Sequence, residues 1–283
     1  MSGQATAADT FPFGPTPPKL TAEQLRGWIL EDSSEVVVFN KPGWVVCHPS
    51  KDGPFSSLVG TAREILGLET VHLVSRLDRE TSGLVVLARH RAMASALQVA
   101  LAERRVRKRY LAILHGHLAE RTEVSRALGP DAESPVAVKQ RLDPLAGGQK
   151  AQTSFVPRAW KAGHTLAEVV PHTGRKHQIR AHAQGLDCPI VGDKLYGPDP
   201  LLYLEFVEHG WTARLEAMLP MKRQALHAAE LVFETPRGEF RWEAPLAPDM
   251  ASYWANLPGP ETRPAGRDGS TRRRRRAAPR SDA

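Results

Sequence analysis

An α+β fold is predicted, on three observations. Segments with strand and helix patterning mix irregularly along the 283 residues and do not settle into β-α-β alternation. Residues 106–116, VRKRYLAILHG, alternate with period two: Val106, Lys108, Tyr110, Ala112 and Leu114 point one way, Arg107, Arg109, Leu111 and Ile113 the other. Residues 231–245, LVFETPRGEFRWEAP, read as a hairpin around Pro236-Arg237-Gly238.

The remaining elements follow in order. Residues 1–20 read as a flexible leader with four prolines. Thr21 and Gln24 form a capping box for a short helix ending near Leu30. EVVVF (35–39) is a strand, NKPG (40–43) a turn, and WVVCHP (44–49) resumes extended structure. Residues 57–66 and 90–104 have helical spacing, the second with Met93, Leu97 and Leu101 on one face. Leu73-Val74 and Leu84–Leu87 read as buried strands around a charged block. Residues 150–157 and 165–171 are further strands, then a helix from about Gly174 to Gln184. A last helix, 248–256, precedes the C-terminal tail, and no repeat or long linker interrupts the chain before 258.

Composition narrows the class. A 41% hydrophobic and 24% charged content is that of a soluble globular protein. No run of 18 apolar residues occurs, and the N-terminus lacks the pattern of a secretory signal, so a cytoplasmic protein is expected. Cys47 and Cys188 are too few for a disulfide framework or a cysteine zinc site. Of the net charge of +7, +5 lies in residues 258–283, which leaves the body at +2. That tail, with RRRRR at 272–276 and almost nothing to bury, is expected to be disordered. It is either a solvated tail or a weak, salt-sensitive phosphate contact.

The chemistry concentrates in three places. Arg76, Asp78, Arg79 and Glu80 put four charges into five positions between two buried strands. Positive neighbours favour an ionised Asp78, which suits a nucleophile, a base or a partner for a developing cation. Asp78 and Glu80, roughly 6.6 Å apart on one side of an extended segment, raise a glycosidase-like pair. The arginines push both carboxyls toward ionisation, so the pair fits acid/base work badly. PHTGRKHQIRAH (171–182) places Ile179, Ala183 and Leu186 on a buried helical stripe and Lys176, Arg180 and Gln184 on another face. Cations at that helix start call for phosphate or carboxylate nearby. His172, His177 and His182 are five apart and cannot share a helix face, so a metal site is not expected. Tyr110, set among basic residues in RRVRKRY, has the composition of a nucleic-acid contact with a ring for stacking. Gly-rich phosphate loops are absent from the sequence.

SRLDRETSGLVVLA (75–88), KRYLAILHG (108–116) and TGRKHQIRAHAQGLDCPIVGDKLYG (173–197), in that order, resemble the RluA-type branch of the pseudouridine synthases. NKPGWVVCHPS upstream and QALHA (224–228) downstream match the same pattern. The resemblance implies a pseudouridine synthase-like catalytic domain over 34–257, a bent, largely antiparallel mixed sheet flanked by helices around a central cleft. It implies Asp78 as catalytic carboxylate, Tyr110 packed on the target base with proton removal from C5 as a second role open to it, Arg180 paired with Asp78, and Arg76 filling the stack when the uridine flips out. Arg79, Thr81, Arg175, Lys176, His177 and Gln178 are implied as further substrate contacts. The reaction implied uses no cofactor and no metal, and the partner is structured RNA, a ribosomal or transfer RNA stem-loop. A monomer is the default, with no membrane contact. Ser75 replaces the family's usual His before Arg-Leu-Asp-Arg, and residues 1–33 are too few for an S4-type RNA-binding domain.

Overall fold

The structure, a computed structural model, describes residues 16–48, 53–144 and 146–263. Helix α1 (Ala22–Gly27) is followed by β1 (Ile29–Asp32), β2 (Val36–Lys41), α2 (Leu58–Leu66), β3 (His72–Leu73), β4 (Ser82–Ala88) and α3 (Arg91–Ala102). Next come β5 (Val106–His115), β6 (Thr122–Ser125), β7 (Leu128–Pro130), β8 (Gln140–Leu142), β9 (Gln152–Lys161), β10 (His164–Pro171) and α4 (Gln178–Gln184). The chain closes with α5 (Leu201–His209), α6 (Ala213–Met218), β11 (Leu226–Thr235), β12 (Gly238–Glu243) and α7 (Pro248–Asn256).

One ten-stranded sheet runs β1-β2-β4-β11-β5-β10-β9-β6, with β12 joined to β11 and β3 to β4. All its pairings are antiparallel except β4 with β11, which is parallel through His227–Ser82 and Ala228–Gly83. Fold class and mixed, largely antiparallel sheet are therefore as predicted.

The apolar run of β4 and that of β2 are buried on both faces, and their period of two divides them between two cores. Val36, Val38, Leu84 and Val86 pack with Met93 and Leu97 of α3. Val37, Phe39, Val85 and Leu87 pack with Leu25 of α1 and Leu58 and Ala62 of α2. Each such side chain contributes roughly 1.5–3 kcal/mol on leaving water. A third core joins β5, β9 and β10 to α4 and α7 through Ile113, Phe155, Val169, Ile179 and Trp254.

Several boundaries differ from expectation. The Thr21–Gln24 capping box forms, but the helix stops at Gly27, and Ile29–Asp32 is the edge strand beside β2. Residues 44–48 are not extended: Trp44 turns at φ 73° and only Val46 bridges to Ser57. The helix expected from Gly174 begins at Gln178, because His177 sits in the left-handed region at φ 55°. Lys176 is consequently off the helix, and no Lys176–Arg180–Gln184 stripe exists. Thr262 pairs with Trp160, so the chain still packs on β9 within the segment predicted as tail. Residues 1–15 and 264–283, most of the predicted leader and tail, lie outside the described residues.

Candidate active site

The sheet topology brings the three motifs together. The charged block ends where β4 begins; β4 lies against β11, and Ala228 of β11 stands opposite Tyr110 of β5. The close approach of β4 to β11 requires Gly83: its φ is 109°, and a Cβ there would lie 2.3 Å from the Ala228 carbonyl oxygen. Strand β10 then leads into α4, whose first turn carries Arg180.

All ten residues singled out from the sequence line one cleft of about 760 Å³. Arg76, Asp78, Arg79 and Thr81 form one wall, Arg175, Lys176, His177, Gln178 and Arg180 another, and Tyr110 rises between them from β5. Val46, Cys47 and His48 complete the rim.

At the centre Arg180 joins two carboxylates. Its Nη1 donates to Asp78 Oδ2 at 3.0 Å, while Nε and Nη2 donate to Asp193 at 2.7 and 2.8 Å. Asp193 is fully buried and also accepts the backbone N–H groups of Leu195 and Tyr196. Asp193 thus holds the guanidinium that holds Asp78. The Asp78 side chain remains 36% exposed, so it stays open to a substrate. Burial pushes its pKa up, but the Arg180 charge and hydrogen bond outweigh that and hold it below the usual carboxylate range.

This corrects the sequence-based account of the charges. Arg76 and Arg79 do not pair with Asp78. Arg76 Nη1 meets His48 Nε2 at 2.9 Å, and Arg79 donates to the Trp44 and Thr16 carbonyls. Glu80 is not part of the cleft lining and accepts two bonds from Lys194 Nζ at 3.0 and 2.9 Å. The glycosidase-like pair is therefore not formed.

The loop carrying Asp78 is pinned from several sides. Lys41, fully buried, donates to the Arg79 carbonyl, and Arg223 donates to the Glu80 carbonyl while clamping Asp249 at 2.6 and 2.7 Å. Burial pulls the Lys41 pKa down to about 8. Lys194 is 1% exposed and sits against the rings of Trp44, Phe206 and Trp211 at 4.8, 4.7 and 5.3 Å. Thr81 Oγ1 accepts from Gln224 at 2.7 Å.

The remaining site residues divide into free and committed groups. Gln178 accepts from Thr173 and the Arg175 N–H and donates to Gln152 and Thr153, so its amide braces the wall and is not spare for a ligand. His177 Nδ1 bonds the Tyr196 hydroxyl at 3.0 Å, and burial lowers its pKa to about 4, so the ring is neutral at pH 7. Burial, with the Asp78 charge adding, raises the Tyr110 phenol, which stays protonated. His172 and His182 bond Ser154 and Thr153, apart from each other and from His177. Among the described residues no group of three His, Cys, Asp or Glu could hold a metal ion, and no helix is long and apolar enough to cross a membrane.

Asp193, Lys194 and Arg223 were not singled out from the sequence. A signal for two of them was present: Asp193-Lys194 follows the apolar Pro189-Ile190-Val191 run after a single Gly192, where such charges need partners, and both lie within the 173–197 motif.

A cleft walled by cations around one ionised carboxylate and one protonated phenol defines an enzyme for a polyanionic substrate. The profile of the RNA pseudouridylate synthase family matches residues 35–185, and the chain belongs to this family, isomerases that act on RNA uridines. It is 34% identical over 247 residues to an uncharacterized RNA pseudouridine synthase, YjbO, of Bacillus subtilis, covering 85% of this chain and 80% of that protein. It is 34% identical over 235 residues to the ribosomal large subunit pseudouridine synthase D of Xylella fastidiosa, covering 81% and 69%. The solved structure of human RNA pseudouridylate synthase domain containing 4 superposes with a TM-score of 0.64 at 26% identity, over 83% of this chain and 94% of that one.

Proposed function

We propose that this RNA pseudouridine synthase isomerises a specific uridine in large-subunit ribosomal RNA, flipped out of its stack into the cleft, with Asp78 as the catalytic carboxylate. The observation that carries this reading is the Asp193–Arg180–Asp78 chain. A buried carboxylate fixes an arginine, and the arginine presents an ionised, accessible Asp78 beside Tyr110. Similarity to the Xylella fastidiosa enzyme supports the ribosomal substrate, which would put the protein in the cytoplasm. Transfer RNA is the other outcome.

The reaction breaks the C1′–N1 bond, turns the uracil and joins C1′ to C5. One proton leaves C5 and one ends on N1, so the atoms balance without a co-reactant. An ionised Asp78 can attack C1′, stabilise positive charge there or take the C2′ proton. Tyr110, as a protonated phenol, serves by packing on the detached ring and excluding water. Burial and the Asp78 charge raise that phenol, which disfavours its use as a phenolate base for the C5 proton. Flipping costs a few kcal/mol. Arg76, exposed at the rim, is the side chain to fill the vacated stack.

The test is pseudouridine mapping in unmodified total RNA treated with the protein or its Asp78→Asn variant. New sites with the unmutated protein alone, and RNA binding retained by the variant, are expected. Normal turnover by Asp78→Asn removes the central claim. Binding without new sites in either sample indicates an RNA-binding protein on this fold.

A further inference from the structure

The basic run 104–109 reads in sequence as one cationic patch, but in the structure most of it is already neutralised. Arg105 donates to Glu103 at 2.8 Å, Arg107 lies 3.6 Å from Glu239, and Arg109 donates to Glu230 at 2.9 Å. Strand alternation explains the last two. Arg107 and Arg109 occupy one face of β5, and Glu230 stands directly across from Arg109 on β11. Lys108 occupies the other face, the face of Tyr110, and lines the cleft with it.

Lys108 differs from every cation just named. It is half-buried and has no hydrogen-bond, carboxylate or ring partner among the described residues. Burial lowers its pKa, and no protein charge opposes that effect. A cation that loses water without gaining an anion is a standing cost to the fold. In a cleft that receives RNA, the anion that can offset that cost is a phosphodiester.

The position bears on which one. Residues two apart on a strand are separated by roughly 7 Å, so Lys108 stands one strand repeat from Tyr110 on the same face of β5 and lines the same cleft. A uridine with its base on Tyr110 brings the phosphates on either side of its ribose within reach of a lysine side chain there. We propose that Lys108 binds a phosphodiester flanking the flipped uridine, forming an anion subsite that fixes the backbone while the base turns. The subsite rests on the isomerase reading above, and deepens it by separating a backbone clamp (Lys108) from the base-holding ring (Tyr110).

Two measurements test it. In the first, binding of unmodified large-subunit ribosomal RNA transcript is followed against salt for the unmutated protein, Lys108→Gln and Lys108→Arg. Loss of one phosphate contact lowers the slope of log affinity against log salt by about 0.7–0.9. It also weakens binding roughly tenfold at low salt. Lys108→Gln is expected to show both changes and Lys108→Arg neither. An unchanged slope in Lys108→Gln overturns the proposal.

The second uses the stem-loop around the mapped uridine, made with a single neutral methylphosphonate on its 5′ or 3′ side. One of the two is expected to weaken binding by the unmutated protein and leave Lys108→Gln unaffected. Equal losses in both proteins place Lys108 elsewhere on the backbone and overturn the assignment. Should the unmutated protein form no pseudouridine, the isomerase reading falls. The salt slope then still decides whether Lys108 meets a phosphate.

Discussion

Arg180 spends three of its hydrogen bonds on two carboxylates that lie 102 and 13 positions from it in sequence. The ionisation of Asp78 therefore depends on a partner that no local reading of Arg-Leu-Asp-Arg contains. That these ten residues would meet in one cleft was legible, because a motif fixes identities and order. The reason Asp78 stays ionised was not, because its two neighbouring arginines turn outward to His48 and to backbone carbonyls. Two expectations belong here. The acid limb of kcat/KM set by Asp78 should fall below the ordinary Asp value of about 3.9. In Arg180→Lys, which loses the two-pronged grip, the opposing effect of burial gains weight and the limb should move up; pH–rate profiles of both proteins decide. Asp193→Asn leaves a buried arginine short of an anion and should cost about 3–5 kcal/mol in urea unfolding.

Among the elements, those with strong periodicity were read to within a residue or two. β5 and α7 fall where alternation and helical spacing put them, and the hairpin turn falls at Pro236-Arg237, although β11 starts at Leu226, five residues before the expected 231. α5 went unread because Leu201, Leu204 and Val207 are exposed while Leu202 and Phe206 are buried, which blurs any apolar stripe, and α6 because it is a six-residue helix that buries only Leu215. α4 was overextended because nothing in sequence marks His177 as left-handed. The β4–β11 contact yields a sharp prediction: Gly83→Ala drives a methyl into the Ala228 carbonyl and should destabilise by at least about 2 kcal/mol, read as a lowered urea midpoint. Beside it, His227 is fully buried against Ser82, and burial lowers its pKa to about 4. The unfolded chain takes up a proton near pH 6.5 that the folded chain refuses until about pH 4. Stability should therefore fall as pH drops through that window, by on the order of 3 kcal/mol from this group. His227→Asn should lose less between pH 7 and 5.

For the whole molecule, charge and topology make separate statements. Seven arginines and two acids lie beyond residue 263, so the basic balance belongs mostly to a segment outside the described fold. Deleting 264–283 should weaken RNA binding at about 50 mM salt, have little effect near 200 mM or above, and leave the chemistry unchanged. Unchanged affinity at every ionic strength would make that segment a bystander. Topology was less legible than class, because pairing partners are set by packing between distant segments. Strand β11, residues 226–235, lies in the middle of the sheet between β4 and β5, which precede it by more than a hundred positions. During synthesis the ribosome therefore releases Asp78 and Tyr110 more than a hundred residues before the strand that lies between their elements, and Arg180 also precedes it. A nascent chain carries the proposed catalytic groups yet has no assembled cleft, and so should not modify the RNA around it until β11 has emerged.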